Sequence, residues 1–286
     1  MFRQLRFFKF SALLRLTRFW NLAIIGLAQY FAALFFIDIT AWHDVRLFLL
    51  SSSTIMIAAG GYIINDYYDV KIDLINKPER VVIGKGITRR FAILFHTLLT
   101  ASGVMIGFFI GWKVGGINLF CATWLWWYSN SLKRQPFIGN FSVALLTGLS
   151  LFIINVLYEV NHMEVVIYAL FAFFMTLIRE VIKDMEDLKG DNTFGCKTLP
   201  IIWGLRRTKF FIYAVLAIFV IMVVMINQQY VMLPIYYFII FLFAPLLWLL
   251  VRLIRADTVK DFYRLSQFCK VIMLLGILSM PFVNFF

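Results

Sequence analysis

The chain has 286 residues, of which 62% are hydrophobic and only 15% charged, and its net charge is +12. Soluble domains average roughly half and a quarter, so composition excludes an ordinary soluble globule and points to an all-α, polytopic membrane protein. The surplus of lysine and arginine flanks apolar runs, where it meets anionic headgroups of membrane lipids; no nucleic-acid partner is expected. Cys121, Cys196 and Cys269 are scattered, as are His43, His96 and His162, which argues against a disulfide framework and against a zinc or haem centre.

Taken in order, the chain offers nine apolar runs, near 19–38, 46–65, 91–111, 115–132, 138–157, 164–182, 208–226, 231–251 and 267–286. Several connections are only a few residues long, so sequential helices should pack antiparallel. No connection is long enough for a separate soluble domain, and residues 1–286 read as a single transmembrane domain. The basic N-terminal segment and first run carry no small-residue cleavage site, so a retained helix is expected there. Of the 27 lysines and arginines, 25 fall in the N-terminal segment and alternate connections, leaving Arg46 and Lys113 on the other side. The positive-inside rule then puts the N-terminus and the connections after the second and sixth runs in the cytoplasm, and the C-terminus outside. Only an odd number of spans closes that pattern, and nine is the consistent count.

One spacing of aspartates occurs twice. Asp66, Asp69 and Asp73 follow Asn65 at offsets 0, 3 and 7, and Asp184, Asp187 and Asp191 repeat those offsets 118 positions later. Lys71 and Lys189 stand in register as well. On a helix these offsets fall at about 0°, 300° and 340°, so three carboxylates crowd one face. Like charges so placed repel, and helix stability gives no reason for them; a cation should sit between. A single acidic connection would read as a solvated loop, but two with identical offsets mark matching places in two halves of the chain, and such repeats often frame a site.

Carboxylates with an amide oxygen, and without His or Cys, form a hard-oxygen donor set that suits Mg²⁺ or Ca²⁺ over zinc or copper. Mg²⁺ takes one or two carboxylates and completes its shell with water and substrate phosphate. Cations nearby, namely Lys71, Arg80, Lys133, Arg134, Lys183 and Lys189, would neutralise a diphosphate, and the 32 phenylalanines suit a long apolar tail. Plainer roles are available for some of these residues. Lys133 and Arg134 also fit membrane anchors, Lys71 and Lys189 helix-end cations, and Arg18 and Asn21 anchors of the first span. Asn140 fits a helix start, and Trp124, Trp126, Trp127 and Tyr128 an interfacial belt.

At these residues the chain resembles the UbiA superfamily of intramembrane prenyltransferases, whose pattern is Asn-Asp-x-x-Asp-x-x-x-Asp after the second span and a second aspartate motif after the sixth. Two stretches look closest to its digeranylgeranylglyceryl phosphate synthase branch, which makes archaeal-type ether lipids. These run from Asn65 through Ile75-Asn76-Lys77-Pro78-Glu79-Arg80, and from Arg179 through Lys197-Thr198-Leu199-Pro200. The resemblance implies nine helices around a central cavity capped by the aspartate loops. It implies that Asn65, Asp66, Asp69, Asp73, Asp184, Asp187 and Asp191 hold Mg²⁺ and an isoprenyl diphosphate, with Asp69 and Asp187 essential. Tyr128 and Lys133 match the family's tyrosine and lysine of the fourth-helix region, five apart where some relatives show four. Arg18, Asn21, Arg80, Arg134 and Lys183 would contact the diphosphate or the acceptor. Many relatives continue after the arginine with Pro-Ile-Pro-Ser-Gly; this chain reads Val81-Val82-Ile83-Gly84-Lys85-Gly86.

The implied activity is Mg²⁺-dependent transfer of an isoprenyl group to a lipid-soluble acceptor, foremost geranylgeranylglyceryl phosphate. An aromatic acceptor of the quinone, tocopherol or chlorophyll type is the rival within the family. A cation-coupled transporter is the rival from another class, but it would want its carboxylates near mid-span.

Overall fold

The computed structural model describes residues 10–79, 81–231 and 234–283. It is all-helical; among the described residues there is no strand, only an isolated bridge between Ile83 and Ile87. The helices are α1 (Phe10–Leu16), α2 (Phe19–Phe36), α3 (Val45–Asn76), α4 (Arg89–Ile110), α5 (Trp112–Asn130), α6 (Ile138–Tyr158), α7 (Met163–Glu186), α8 (Leu188–Thr193), α9 (Leu199–Ile226), α10 (Ile235–Phe238), α11 (Ala244–Ile254) and α12 (Val259–Val283). Wider π turns at Asn227–Val231 and Ile239–Phe243 join α9 to α11 through the short α10. Among the described residues, eight helical stretches are long and apolar enough to cross a membrane. This is an integral membrane protein.

The chain divides into two compact units. The first comprises Val45–Leu132 with the described part of Met1–Leu27, and the second comprises Ala28–Asp44 with Lys133–Phe286. In the first unit, α3, α4 and α5 pack on one another. Small residues let the backbones approach: Gly107 lies against Asn118, and Gly115 against the Phe108 ring. Asn118 is buried, and its amide donates to Ser53 Oγ at 3.0 Å and to the Gly103 carbonyl at 3.2 Å. The polar and glycine positions of α5 are therefore interior contacts of the kind that hold membrane helices together. They also lower its hydropathy, and α5, at 19 residues, is not among the eight.

In the second unit α7 is the axis, packed on α6, α9 and α12. Phe174 stacks on Phe219 of α9 at 5.1 Å between centroids, and Phe173 meets Phe141 of α6 edge-on at 5.6 Å. At the Met163 end, the hydroxyls of Tyr168, Tyr237 and Ser279 bond to one another and tie three helices together. α9 is interrupted at Gly204, whose φ of 77° is a conformation that side chains with a Cβ rarely adopt.

Three expectations need correction. The helices of the second and sixth spans do not end at 65 and 182: α3 runs to Asn76 and α7 to Glu186, so the first motif continues α3 instead of opening the connection after it. The second motif does not sit on one unbroken helical face, because α7 stops at Glu186, Asp187 caps it, and Asp191 belongs to α8. Asn140 is not the starting residue of α6, which begins at Ile138.

Packing at the glycines sets a stability test. A Cβ on Gly115 would overlap Phe108, whereas one on Gly116 meets nothing within 4 Å. Gly115→Val should therefore destabilise by about 1–3 kcal/mol, read as a lower thermal midpoint in detergent, and Gly116→Val should leave the midpoint close to the parent's.

Candidate active site at the ends of two helices

Three properties of the chain build the first half of the site. α3 continues past the apolar run, so Tyr62, Asp66, Asp69 and Asp73 form one strip on successive turns, all half-buried. Between α1 and α2, Arg18 takes a left-handed φ of 53°, costing on the order of 1 kcal/mol. That turn aims its guanidinium at the strip. Arg18 Nη2 donates to Asp66 Oδ1 at 2.9 Å, and the guanidinium lies 4.8 Å from the Tyr62 ring centroid. Asn21 Nδ2 reaches the Tyr62 hydroxyl at 3.4 Å. Two residues proposed from sequence, Arg18 before α2 and Asn21 in its first turn, thus meet this strip of α3, at Asp66 and Tyr62 respectively.

The connection after this strip is shut by a tight turn. The Gly84 amide donates to the Ile87 carbonyl at 2.8 Å and the Gly86 amide to the Val82 carbonyl at 2.8 Å. Ile83 and Ile87 are buried in an apolar cluster with Leu16, Ile63 and Ala92. Ile83 and Ile87 therefore anchor this connection in the apolar interior, and Gly84, with φ of 90°, allows the reversal. Arg80 lies outside the described residues.

The second half belongs to α7. Asn140 of α6 is buried, and its Nδ2 donates to Asp184 Oδ2 at 2.8 Å. One turn earlier, the buried Glu180 carboxylate takes Arg179 on Oε1 and Lys183 Nζ on Oε2, the latter at 3.3 Å. Glu186, also buried, accepts from Ser266 of α12 at 3.2 Å. Beyond Asp187 the chain is drawn in by backbone bonds: the Asp191 carbonyl accepts from the Cys196 amide at 2.9 Å, and the Arg134 carbonyl from the Lys197 amide at 2.8 Å. Lys133 and Arg134 lie on a short 3₁₀ turn, Leu132–Arg134, and Tyr128 in the last turn of α5. The sequence reading named Asn140 only as a helix start and gave Glu180, Arg179 and Glu186 no role. The i, i+3 spacing of Glu180 and Lys183 was the one available signal.

Among the described residues, no three His, Cys, Asp or Glu side chains are grouped closely enough to hold a metal by themselves. Mg²⁺ needs only one or two carboxylates and leaves its other positions to water and phosphate oxygens. The donor groups, Asn65, Asp66, Asp69 and Asp73 on α3 of the first unit and Asp184, Asp187 and Asp191 around the end of α7 of the second, are each all oxygen, the chemistry that such an ion takes. A partly open cavity of about 500 Å³ in the second unit is a different place, lined by Tyr168, Phe171, Phe219 and Tyr237. Phe171 and Tyr168 lie roughly opposite Asp184 around α7 and about 20–24 Å away along it.

The sequence pattern of the UbiA prenyltransferase family matches residues 26–272, and the chain belongs to that family: it is a membrane-embedded prenyltransferase. Among its curated relatives is digeranylgeranylglyceryl phosphate synthase of Methanosphaera stadtmanae, 32% identical over 234 residues that cover 81% of this chain and 85% of the relative. The protein of the same name from Methanothermobacter thermautotrophicus is 38% identical over 161 residues, 55% of this chain and 56% of the relative. A solved structure concerned with digeranylgeranylglyceryl phosphate synthase in membranes covers 95% of this chain and 96% of its own, with 27% identity and a TM-score of 0.72. A UbiA homologue from Archaeoglobus fulgidus bound to GPP and Mg²⁺ shares the fold, with a TM-score of 0.65 and 18% identity over 94% of this chain and 99% of its own.

Because Asn140 supplies the described side-chain donor to Asp184, Asn140→Ala should lower prenyl transfer by about ten- to a hundredfold, the usual cost of losing a group that orients a ligand. Initial rates, compared at matched folded protein judged by size-exclusion chromatography, check this.

Proposed function

We propose that this chain transfers a geranylgeranyl group from its diphosphate to the free hydroxyl of geranylgeranylglyceryl phosphate, a step of ether-lipid synthesis. One observation carries the reading: an all-oxygen acidic strip ends α3 and another ends α7, and each is met by a cation or amide from its own unit, Arg18 on Asp66 and Asn140 on Asp184. The 32% identity to the Methanosphaera synthase over 85% of its length supports the acceptor.

In this reading nine helices form one domain around a central cavity, with α5 as the ninth crossing. At 19 residues α5 is about 28 Å long, close to the hydrocarbon thickness. Parity favours it: counting α5, α3 and α7 are the second and sixth crossings and run the same way, so both motifs reach one side. Without α5 they would end on opposite sides. The basic connections make that side cytoplasmic and leave the C-terminus outside.

When bound, Mg²⁺ would neutralise the leaving diphosphate as its charge grows. Asn65, Asp66, Asp69 and Asp73 with Asp184, Asp187 and Asp191 would hold it. Arg18, Arg80, Lys133, Arg134 and Lys183 would meet phosphate oxygens, with Asn21 and Tyr128 orienting them. Negative charge develops on the oxygen that leaves the allylic carbon, so cations fixed there favour the transition state over the ground state. The allylic carbon turns positive as that bond breaks, and aromatic faces stabilise it. The acceptor hydroxyl then forms the ether bond with the allylic carbon and gives its proton to the released diphosphate. Exclusion of water by the apolar walls keeps the cation from hydrolysis.

Purified protein, labelled geranylgeranyl diphosphate and Mg²⁺, offered geranylgeranylglyceryl phosphate and an aromatic quinone-precursor acid together, should yield the ether lipid. A prenylated aromatic as the sole product would overturn the acceptor assignment. Asp69→Ala and Asp187→Ala should each reduce transfer to background while eluting like the parent, and chelation of divalent ions should do the same to the parent. Single cysteines at Lys85 and Lys113 test sidedness: impermeant thiol reagents applied outside intact cells should label the second and not the first.

A further inference from the structure

Glu180 is a carboxylate in a place where nothing about helix stability asks for one. It is buried on α7, one turn before Asp184, in a helix that crosses the membrane. A buried charge persists when it is paired on all sides, and the two oxygens of Glu180 are divided between Arg179 and Lys183. Arg179 and Lys183 are four residues apart, hence neighbours about 40° apart on the helix surface, where two cations repel. Glu180 stands between them and draws both charges onto one carboxylate. Arg179 is the more enclosed partner, its side chain 17% exposed against 29% for Lys183. One oxygen of Glu180 is therefore fixed by the deeper cation, and the other presents a set position to the shallower one.

We infer that Glu180 is a positioning residue: anchored by Arg179, it holds the Lys183 ammonium in place for a phosphoryl oxygen of a substrate. The inference rests on the prenyltransferase reading above, in which Lys183 meets phosphate. That phosphoryl oxygen could belong to the prenyl diphosphate or to the phosphate of the acceptor. Both present the same chemistry, and Lys183 lies next to Asp184, within reach of either kind of ligand at the cytoplasmic end of α7.

Charge and position make opposite predictions here, which gives the test its edge. Removing a negative charge beside an anion site tightens anion binding if charge alone matters. Losing the group that holds Lys183 weakens it. The measurement is calorimetric affinity in detergent for two probes, a non-reacting geranylgeranyl thiolodiphosphate and geranylgeranylglyceryl phosphate. Lys183→Met should weaken one of them by about ten- to a hundredfold, the range for a lost charge-assisted hydrogen bond, and the probe affected identifies the source of the phosphate. Glu180→Gln should weaken the same probe by about five- to tenfold, and should add nothing further in the Lys183→Met background. Glu180→Asp keeps the charge but withdraws it by one methylene, and should also weaken that probe; it serves if the glutamine variant does not fold. Tighter or unchanged binding in the Glu180 variants overturns the inference. So does a lowered thermal midpoint with affinities intact, which would make the pairs structural only. If Lys183→Met affects neither probe, Lys183 is no phosphate ligand and the inference goes with it. The aspartate reading is tested separately by loss of transfer in Asp69→Ala and Asp187→Ala.

Discussion

An acidic side chain at the edge of a hydrocarbon slab has to be answered by its own bundle, and this constraint organises both ends of the molecule's chemistry. Water answers such a group poorly there, and leaving it bare costs several kcal/mol or more. The chain meets the requirement with side chains from distant parts of the sequence, Arg18 for Asp66, Asn140 for Asp184 and Ser266 for Glu186, and from the same helix with the Arg179–Lys183 pair for Glu180. Each answer also fixes a geometry. Arg18 accepts a strained backbone to make its contact, and α6 contributes an amide that a purely apolar face would not carry. Carboxylates held this way are oriented before any ion or phosphate arrives, which is the condition for electrostatic catalysis.

The same constraint explains the fold. Every backbone polar group within the bilayer must be satisfied inside its own segment, so helices are the only economical solution for such a sequence. Polar side chains inside the first unit are used up in the same spirit: Asn118 bridges α5 to α3 and α4, and His96 Nδ1 bonds the Gly60 carbonyl at 2.9 Å. Glycines at 103, 107 and 115 bring the helices close enough for those bonds to form.

Much of this was legible from residue order. Apolar runs separated by short basic turns announced the helices, and the residues around the doubled aspartate spacing carried the resemblance to the family to which the chain belongs. The errors have a common physical origin. Hydropathy registers where a helix leaves hydrocarbon, while the helix itself ends only where hydrogen bonding or capping fails; hence α3 outran its apolar run by eleven residues, from 65 to 76. The second motif looked like the first because spacing is blind to the cap at Asp187. The partners of the carboxylates were hidden for a different reason. Arg18 and Asn140 lie 48 and 44 positions from the groups they meet, and nothing local in the sequence marks such pairs. The stretch 81–87 was visibly odd, yet only packing reveals that Ile83 and Ile87 fill a cluster with α1, α3 and α4.

α5 carries a consequence for how the protein is made. It is joined to α4 by Gly111 alone, and its interior amide and Gly115 find their partners on α3 and α4. Released singly into lipid by the insertion machinery, α5 would bring an unanswered amide with it. Insertion of α5 is therefore eased when α3 and α4 are already beside it to answer that amide.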